Sequence, residues 1–355
     1  MWQWFLPLFV LLSLTSSIAV GPVSFHTINK YKATQMKILS KPKGNAEEYG
    51  RWSVNPYKGC PHGCQYCYLK KGPGAKNLGG DSSVLKSGVC SDRHAYHIAM
   101  AEILGNENAI RRDGGLFMTF TSDPLIRENR DLMLSIAFES IFMKIPVVML
   151  TKDASFLDMS EAMAKMLGAD GEENWRKEVH FWHVDKRPYT AFPNPHFDSY
   201  ADYIAFGFTL TGHDEMEPKA SSNEERINTM RRLNEMGFKT WASIEPVIDF
   251  DASFLMIQQA LDAGCRHFKI GLLTNNTKVV RSKYDMIECC QFVGYVMELT
   301  ERYGATVYWK QSFVDFLQVS KKDPQPVHGM TAREFLSQWK HSVGKDWSMF
   351  KTSAV

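Results

Sequence analysis

Three cysteines fall within eight consecutive residues, in the segment CPHGCQYC that runs from Cys60 to Cys67. The two spacers, of three and two residues, are short enough for a loop to curl around a common centre, and Gly59 and Gly63 relieve its turns. Three thiolates on a [4Fe-4S] cube leave one iron without a protein ligand. The spacing therefore predicts a metal centre on Cys60, Cys64 and Cys67 with one open coordination position.

A zinc site is the alternative for these cysteines, with His62 or His94 as the fourth ligand. Structural zinc sites usually combine two paired ligand knuckles, and the sequence has no second one, so the cluster is favoured. A disulfide framework fits less well, because seven cysteines in 355 residues are sparse and unevenly placed.

From Ser53 onward, short β-rich runs alternate with amphipathic helical stretches, which is typical of βαβ units and a parallel sheet. Six or seven such units in one series favour a partial or complete β/α barrel over a doubly wound sheet. The cysteines follow the first predicted strand, at the end where β/α barrels carry their sites. The predicted strands are 52–57, 116–121, 146–151, 203–210, 239–245, 267–272 and 306–309, and the predicted helices are 92–104, 130–143, 158–167, 223–236, 253–263 and 284–303.

The composition is that of an ordinary globular protein, with 44% hydrophobic and 23% charged residues, which excludes a disordered or collagen-like chain. A net charge of +2 neither requires nor excludes a nucleic-acid partner.

Residues 2–20 are almost wholly apolar and end in small residues, as a signal peptide does, but no Lys or Arg precedes Lys30 and Pro7 interrupts the run. Met36 is a second plausible start. We expect an apolar leader that is signal-like or a mis-assigned start (1–35), a lead-in (36–52), a core barrel (53–311) with an insert (171–199), and a C-terminal extension (312–355).

The segment from Asn55 to Leu69 resembles the cluster loop of radical S-adenosylmethionine (SAM) enzymes, and within them the branch of spore photoproduct lyase and predicted DNA-repair lyases. Tyr66, just before the third cysteine, fits the superfamily pattern. The resemblance implies a partial (β/α)6 TIM-like barrel with a short C-terminal extension. It also implies a [4Fe-4S] cluster whose open iron chelates SAM. One electron from the cluster then breaks the sulfonium C–S bond and gives a 5′-deoxyadenosyl radical. This radical abstracts a hydrogen atom from the substrate.

The same resemblance implies partners. The cluster needs an electron donor of flavodoxin or ferredoxin type. A nucleic-acid lesion is the first candidate substrate and a peptide or small metabolite the second, while a non-catalytic zinc-binding interaction protein is the alternative of another class. A low-potential cluster belongs in a reducing cytoplasm, so we expect a cytoplasmic protein without a stable membrane partner. Export or membrane tethering is the alternative if the leader is real.

Three strand ends carry further candidate site residues. The segment TFTSDP (119–124) resembles the family's T-x-x-D-P segment, where Ser122 and Asp123 are candidate contacts for the SAM amino group; the alternative is an N-cap and turn. Thr211 is a candidate contact for a ribose or a carboxylate; the alternative is that its hydroxyl only stabilises a turn. Glu245 lies in an otherwise apolar run, and because a buried carboxylate is costly without a partner, we expect it to bind SAM or substrate.

Other residues have open roles. The run from Glu217-Pro218 to Arg226 is similar to the branch's E-P and S-x-x-E-R series, and Ser221 with Glu224 reads as a capping box. Lys310 could hold an anionic group or end a strand in solvent. Spore photoproduct lyase has an extra cysteine that returns a hydrogen atom, but Cys90 lies closer to the cluster motif than that residue does; the alternative is a small buried thiol.

Overall fold

The computed structural model describes residues 37–71, 74–159, 200–273 and 284–319. Three 3-10 helices cover Gly44–Glu48, Tyr200–Asp202 and Asp214–Met216. The strands are β1 Leu39–Ser40, β2 Ser53–Val54, β3 Tyr57–Lys58, β4 Val84–Leu85, β5 Leu116–Met118, β6 Val147–Thr151, β7 Ile204–Thr209, β8 Lys239–Val247, β9 His267–Leu272 and β10 Thr306–Trp309. The helices are α1 Tyr68–Lys71, α2 Ala75–Leu78, α3 Asp92–Leu104, α4 Glu107–Arg112, α5 Arg130–Phe142, α6 Phe156–Met159, α7 Asn223–Glu235, α8 Phe250–Asp262, α9 Met286–Arg302 and α10 Gln311–Val319.

Eight strands form one sheet in the order β1-β2-β5-β6-β7-β8-β9-β10. β1 pairs antiparallel with β2, and all later neighbours pair in parallel. Among the described residues β10 pairs only with β9, so the sheet does not close on itself. A parallel sheet in chain order, with helices between successive strands, is the α/β partial barrel that the sequence predicted.

The centre of the sheet is packed around Trp241, which is fully buried and donates its indole N–H to the Met149 carbonyl (3.1 Å). The ring crosses the backbone of Gly207 on the neighbouring strand, where a Cβ would lie 2.1 Å from the indole. Phe117 and Ala205 pack on the same ring. Only glycine at 207 therefore lets this large side chain fill the middle of the sheet.

Most helix boundaries agree with prediction, because capping residues mark them. α3 begins after Ser91, whose side chain accepts from the His94 N–H, and it covers the predicted residues. α8 begins three residues earlier than predicted, since Asp249 caps it by accepting from the Ala252 N–H (2.7 Å). The predicted capping box on Ser221 and Glu224 was wrong by one residue: Ser222 and Glu225 form it.

The first predicted strand, 52–57, is divided. Residues Ser53–Val54 join the main sheet, whereas Tyr57–Lys58 pairs antiparallel with Val84–Leu85 in a separate two-stranded sheet. Pro56 lies at the break and has no N–H to donate to a ladder. The division turns the chain away from the sheet just before the cysteine loop.

The lead-in contributes β1 and the 3-10 helix Gly44–Glu48, and the backbone N–H of Gln311 donates to the Glu48 carboxylate (2.8 Å). The leader (1–35), the insert (171–199) and most of the predicted helix 158–167 lie outside the described residues, and so does the C-terminal extension beyond Val319. The domain boundaries therefore stay predictions. In the described ranges no helix is both long and apolar enough to cross a membrane.

Candidate active site

A cavity of about 390 Å³ opens at the carboxyl ends of the parallel strands. The three cysteines line it together with residues of β8 and with residues that follow β5, β6, β9 and β10. Of the eight predicted site residues, seven contribute to its wall: Cys60, Cys64, Cys67, Tyr66, Ser122, Asp123 and Glu245. Segments far apart in the sequence thus converge where parallel strands end, as the barrel prediction required.

The cysteine loop is held by backbone hydrogen bonds on both sides. The Cys60 N–H donates to the Gly80 carbonyl (3.0 Å), and the Cys67 N–H donates to the Cys64 carbonyl (3.2 Å). All three thiols are free, and burial raises the pKa of the Cys60 thiol to about 12 and also raises that of Cys64. Metal binding would have to displace these protons, because the thiolate is the ligand form.

The donor set fits an iron–sulfur cluster. No three His, Cys, Asp or Glu side chains in the described ranges are arranged to hold a single metal ion. A cube makes no such demand, because three thiolates bind three different irons. Three free thiols on one cavity wall are soft ligands of the kind that iron–sulfur clusters take.

Neither histidine named for the zinc alternative is available to the cysteines. His62 is buried; its Nε2 lies 2.9 Å from an Asp123 oxygen, and its Nδ1 lies 3.3 Å from the Lys219 carbonyl. His94 sits at the start of α3, with Nδ1 3.2 Å from the Cys90 sulfur, and is not part of the cavity wall. Both rings thus have partners of their own.

Tyr66 is anchored by a buried ion pair. Its hydroxyl donates to the Glu217 carboxylate, which lies 2.6 Å from a guanidinium nitrogen of Arg226, and both charged side chains are fully buried. Arg226 also donates to the Thr209 carbonyl (2.7 Å). Thr211 is likewise fully buried, and its hydroxyl donates to Glu217 (3.4 Å). The structure therefore places Thr211 behind Tyr66 rather than in the cavity wall.

Asp123 joins the cysteine loop to the end of β6. One of its oxygens accepts from the Thr151 hydroxyl (2.7 Å), and the other accepts from the Lys152 N–H (2.8 Å) beside the contact to His62. Burial alone would raise the pKa of Asp123, but the hydrogen bond and charge of His62, with the bonds from Thr151 and Lys152, hold it down to about 2. Its oxygens are committed to the protein. Ser122, in contrast, lines the cavity and accepts from the Asn129 amide (2.9 Å).

The half-buried Glu245 has a partner for its carboxylate. The ammonium of Lys310 lies 2.6 and 2.7 Å from its two oxygens, and the Tyr49 hydroxyl donates to it as well. Glu48 lies 3.3 Å from the same ammonium. Burial would lower the pKa of Lys310, but Glu245 and Glu48 raise it, so the wall here carries a charged and paired cluster.

Lys152 is a cavity residue that sequence reasoning missed. It follows β6, and its ammonium lies 5.7 Å from the centre of the Tyr66 ring. Burial lowers its pKa, but the negative charges of Cys64, in its thiolate form, and of Glu217 outweigh that effect and raise it. No described carboxylate forms an ion pair with it. Its signal is a cation directly after a predicted strand, at the end where the site lies.

Cys90 is exposed and does not line the cavity. The interpretation as a buried thiol was therefore wrong; its position in the loop before α3 leaves the sulfur at the surface beside His94. Cys265, Cys289 and Cys290 are buried.

No protein-family model and no curated protein matches the chain. Similar solved structures include Streptococcus suis SuiB bound to S-adenosylmethionine, with 12% identity and a TM-score of 0.44 over 72% of this chain and 49% of that one. They also include a mutant of spore photoproduct lyase, with 16% identity and a TM-score of 0.48 over 79% of this chain and 81% of that one. A third is spore photoproduct lyase complexed with dinucleoside spore photoproduct, with 14% identity and a TM-score of 0.47 over 76% of this chain and 80% of that one. The chain thus spans about half the length of SuiB. At these identities and TM-scores the likeness assigns no activity to this chain.

Proposed function

We propose that this protein is a radical SAM enzyme, with a [4Fe-4S] cluster on Cys60, Cys64 and Cys67 and SAM as cosubstrate. The observation that carries the proposal is the position of three free thiols on one cavity wall, at the carboxyl ends of a partial β/α barrel. When bound, such a cluster supplies the electron that cleaves SAM into methionine and a 5′-deoxyadenosyl radical.

The cavity wall next to the cysteines suits the amino-acid end of SAM. Lys152 offers an ammonium without a carboxylate partner in the described part of the chain, which matches a carboxylate ligand. Ser122 offers a hydroxyl for the amino group. We assign Asp123 and Thr211 to positioning, because their oxygens are bonded to His62, Thr151 and Glu217. Tyr66 forms the wall between Cys64 and Cys67.

Replacing Lys152 by methionine should weaken SAM binding by roughly tenfold or more, since hydrogen bonds to charged groups are worth about 1.5–3 kcal/mol. Lys152→Arg should retain most of the affinity because it keeps the charge. Equilibrium dialysis of labelled SAM against reconstituted protein measures both. Equal affinity in wild type and Lys152→Met would show that this ammonium does not hold SAM.

The far wall of the cavity is proposed to receive the substrate. Tyr49, Phe117 and Phe120 give it aromatic character, and the Glu245–Lys310 pair adds charged groups that a polar substrate or the SAM ribose can meet. A nucleic-acid lesion is the first candidate, because aromatic surfaces stack on bases. A peptide or small metabolite is the second. An oxygen-sensitive cluster favours a reducing cytoplasm as the working compartment.

Release of 5′-deoxyadenosine tests the proposal. Anaerobically reconstituted protein, given SAM and a chemical reductant, should form 5′-deoxyadenosine and methionine over many minutes, measured by liquid chromatography. Protein lacking the three thiols is the blank. No product above that blank, from protein shown to carry iron and sulfide, would contradict the assignment.

A further inference from the structure

The sequence segment that contains the cysteine loop carries an excess of positive charge. Residues 53–91 contain five lysines and one acidic residue, Asp81, which gives them a net charge of +4 in a chain whose total is +2. The remainder of the sequence is therefore net acidic. Such a local excess of one sign steers the encounter with an oppositely charged partner.

Four exposed or half-buried lysines form what we call the lysine surface: Lys70, Lys71, Lys76 and Lys219. The first two lie on α1, which begins directly after Cys67, and the Lys70 N–H donates to the Cys67 carbonyl (3.2 Å). Lys76 lies on α2, which packs against α1.

Lys219 belongs to the same surface. Its backbone N–H donates to the carbonyl of His62 inside the cysteine loop (3.1 Å). Asp81 connects it to α1, since Asp81 is ion-paired with Lys70 and its pKa is lowered first by Lys70 and also by Lys219. Three of the four lysines, Lys71, Lys76 and Lys219, form no ion pair with described residues.

The lysine surface is separate from the substrate cavity. None of its four lysines lines the cavity, whose lysines are Lys152 and Lys310. A ligand bound inside the cavity would leave the lysine surface free. A partner on the lysine surface would instead rest on the outside of the loop that carries the thiolates, which is where an electron has to arrive.

We propose that the lysine surface docks an acidic one-electron carrier protein, of the flavin or iron–sulfur class, that reduces the cluster. This inference rests on the proposed function. The carrier loses one electron, and the C5′–S bond of SAM then breaks. One electron of that bond stays on C5′ as the radical, and the other joins the donated electron as a lone pair on the methionine sulfur. The balance needs no other reductant.

The chemistry of the surface favours a protein carrier over a nucleic acid. Residues 53–91 contain no arginine, the side chain best suited to bidentate phosphate contacts. Tyr68, the exposed aromatic side chain next to the lysines, donates its hydroxyl to the Phe120 carbonyl. Flexible lysine point charges suit a transient, electrostatically steered complex.

The test uses the double variant Lys71→Glu/Lys76→Glu of the full chain with its reconstituted cluster, and an acidic flavodoxin as the probe. Stopped-flow measurements should show the second-order rate constant for cluster reduction falling roughly tenfold or more at low salt, with the difference shrinking as salt screens the charges. Lys144→Glu is the matched control, because Lys144 is exposed and precedes β6 at the opposite end of the strands. It should reduce at the wild-type rate.

The ratio of flavodoxin-driven to dithionite-driven SAM cleavage separates docking from damage to the site, because a damaged site slows both. A fall in this ratio for the double variant supports docking. An unchanged ratio overturns the proposal. It is also overturned if the double variant loses binding to a short DNA duplex but is still reduced by flavodoxin at the wild-type rate. Failure of the proposed function itself is distinct: wild-type protein would then yield no 5′-deoxyadenosine with dithionite.

Discussion

Cys64→Ala is expected to abolish both cluster binding and SAM cleavage. Cys64 is the middle ligand of the loop, is buried on the cavity wall and follows Gly63, which holds the turn at a φ of 73°. Without the Cys64 thiolate, only Cys60 and Cys67 remain as ligands for a cluster that needs three. These two cannot supply the missing third thiolate. Iron and sulfide analysis of the reconstituted variant should therefore fall to the background, and 5′-deoxyadenosine should not form.

Cys90→Ala is the matched control, because it removes an exposed thiol outside the cavity. It should keep the wild-type iron content and SAM cleavage in the absence of substrate. Equal loss in both variants would show that the ligand set is wrong. Retention of a full cluster in Cys64→Ala would contradict the assignment of the cavity thiols.

Glu217→Ala is expected to lower the free energy of unfolding by about 3–5 kcal/mol. The substitution leaves the guanidinium of Arg226, which is fully buried, without its carboxylate, and breaking a buried pair from one side strands an uncompensated charge. It also frees the hydroxyl of Tyr66. Urea unfolding of the reduced, metal-free protein measures the change as a shift in midpoint.

Glu224→Ala tests whether the effect belongs to the buried pair. Glu224 lies on the same helix, α7, but is exposed, so its removal should change stability by less than about 0.5 kcal/mol. A small effect in Glu217→Ala would mean that Arg226 finds another partner or water. In that case the pair does not hold Tyr66 in place.

The parts of the fold that sequence reasoning reached are those with local signals. Three cysteines at fixed spacing identify the loop, and alternating apolar runs with capping residues identify the strands and helices, as for α3 after Ser91. β2 and β3 were joined in the prediction because Pro56 does not interrupt the apolar pattern, although it removes a ladder donor.

The parts that it did not reach depend on pairs distant in the sequence. Glu245 and Lys310 are 65 residues apart, and Tyr49 donates to Glu245 across 196 residues. A carboxylate in an apolar run predicts that a partner exists but does not say which one. Thr211 illustrates the reverse: its strand-end position suggested a cofactor contact, whereas Glu217 takes its hydroxyl.

The metal content of anaerobically purified and reconstituted protein tests the central claim most directly. We predict about four irons and four sulfides per chain with little zinc, bound in wild type and absent from the triple variant Cys60→Ala/Cys64→Ala/Cys67→Ala. One zinc per chain without acid-labile sulfide, lost in the same variant, would contradict the account and make the loop a structural zinc site.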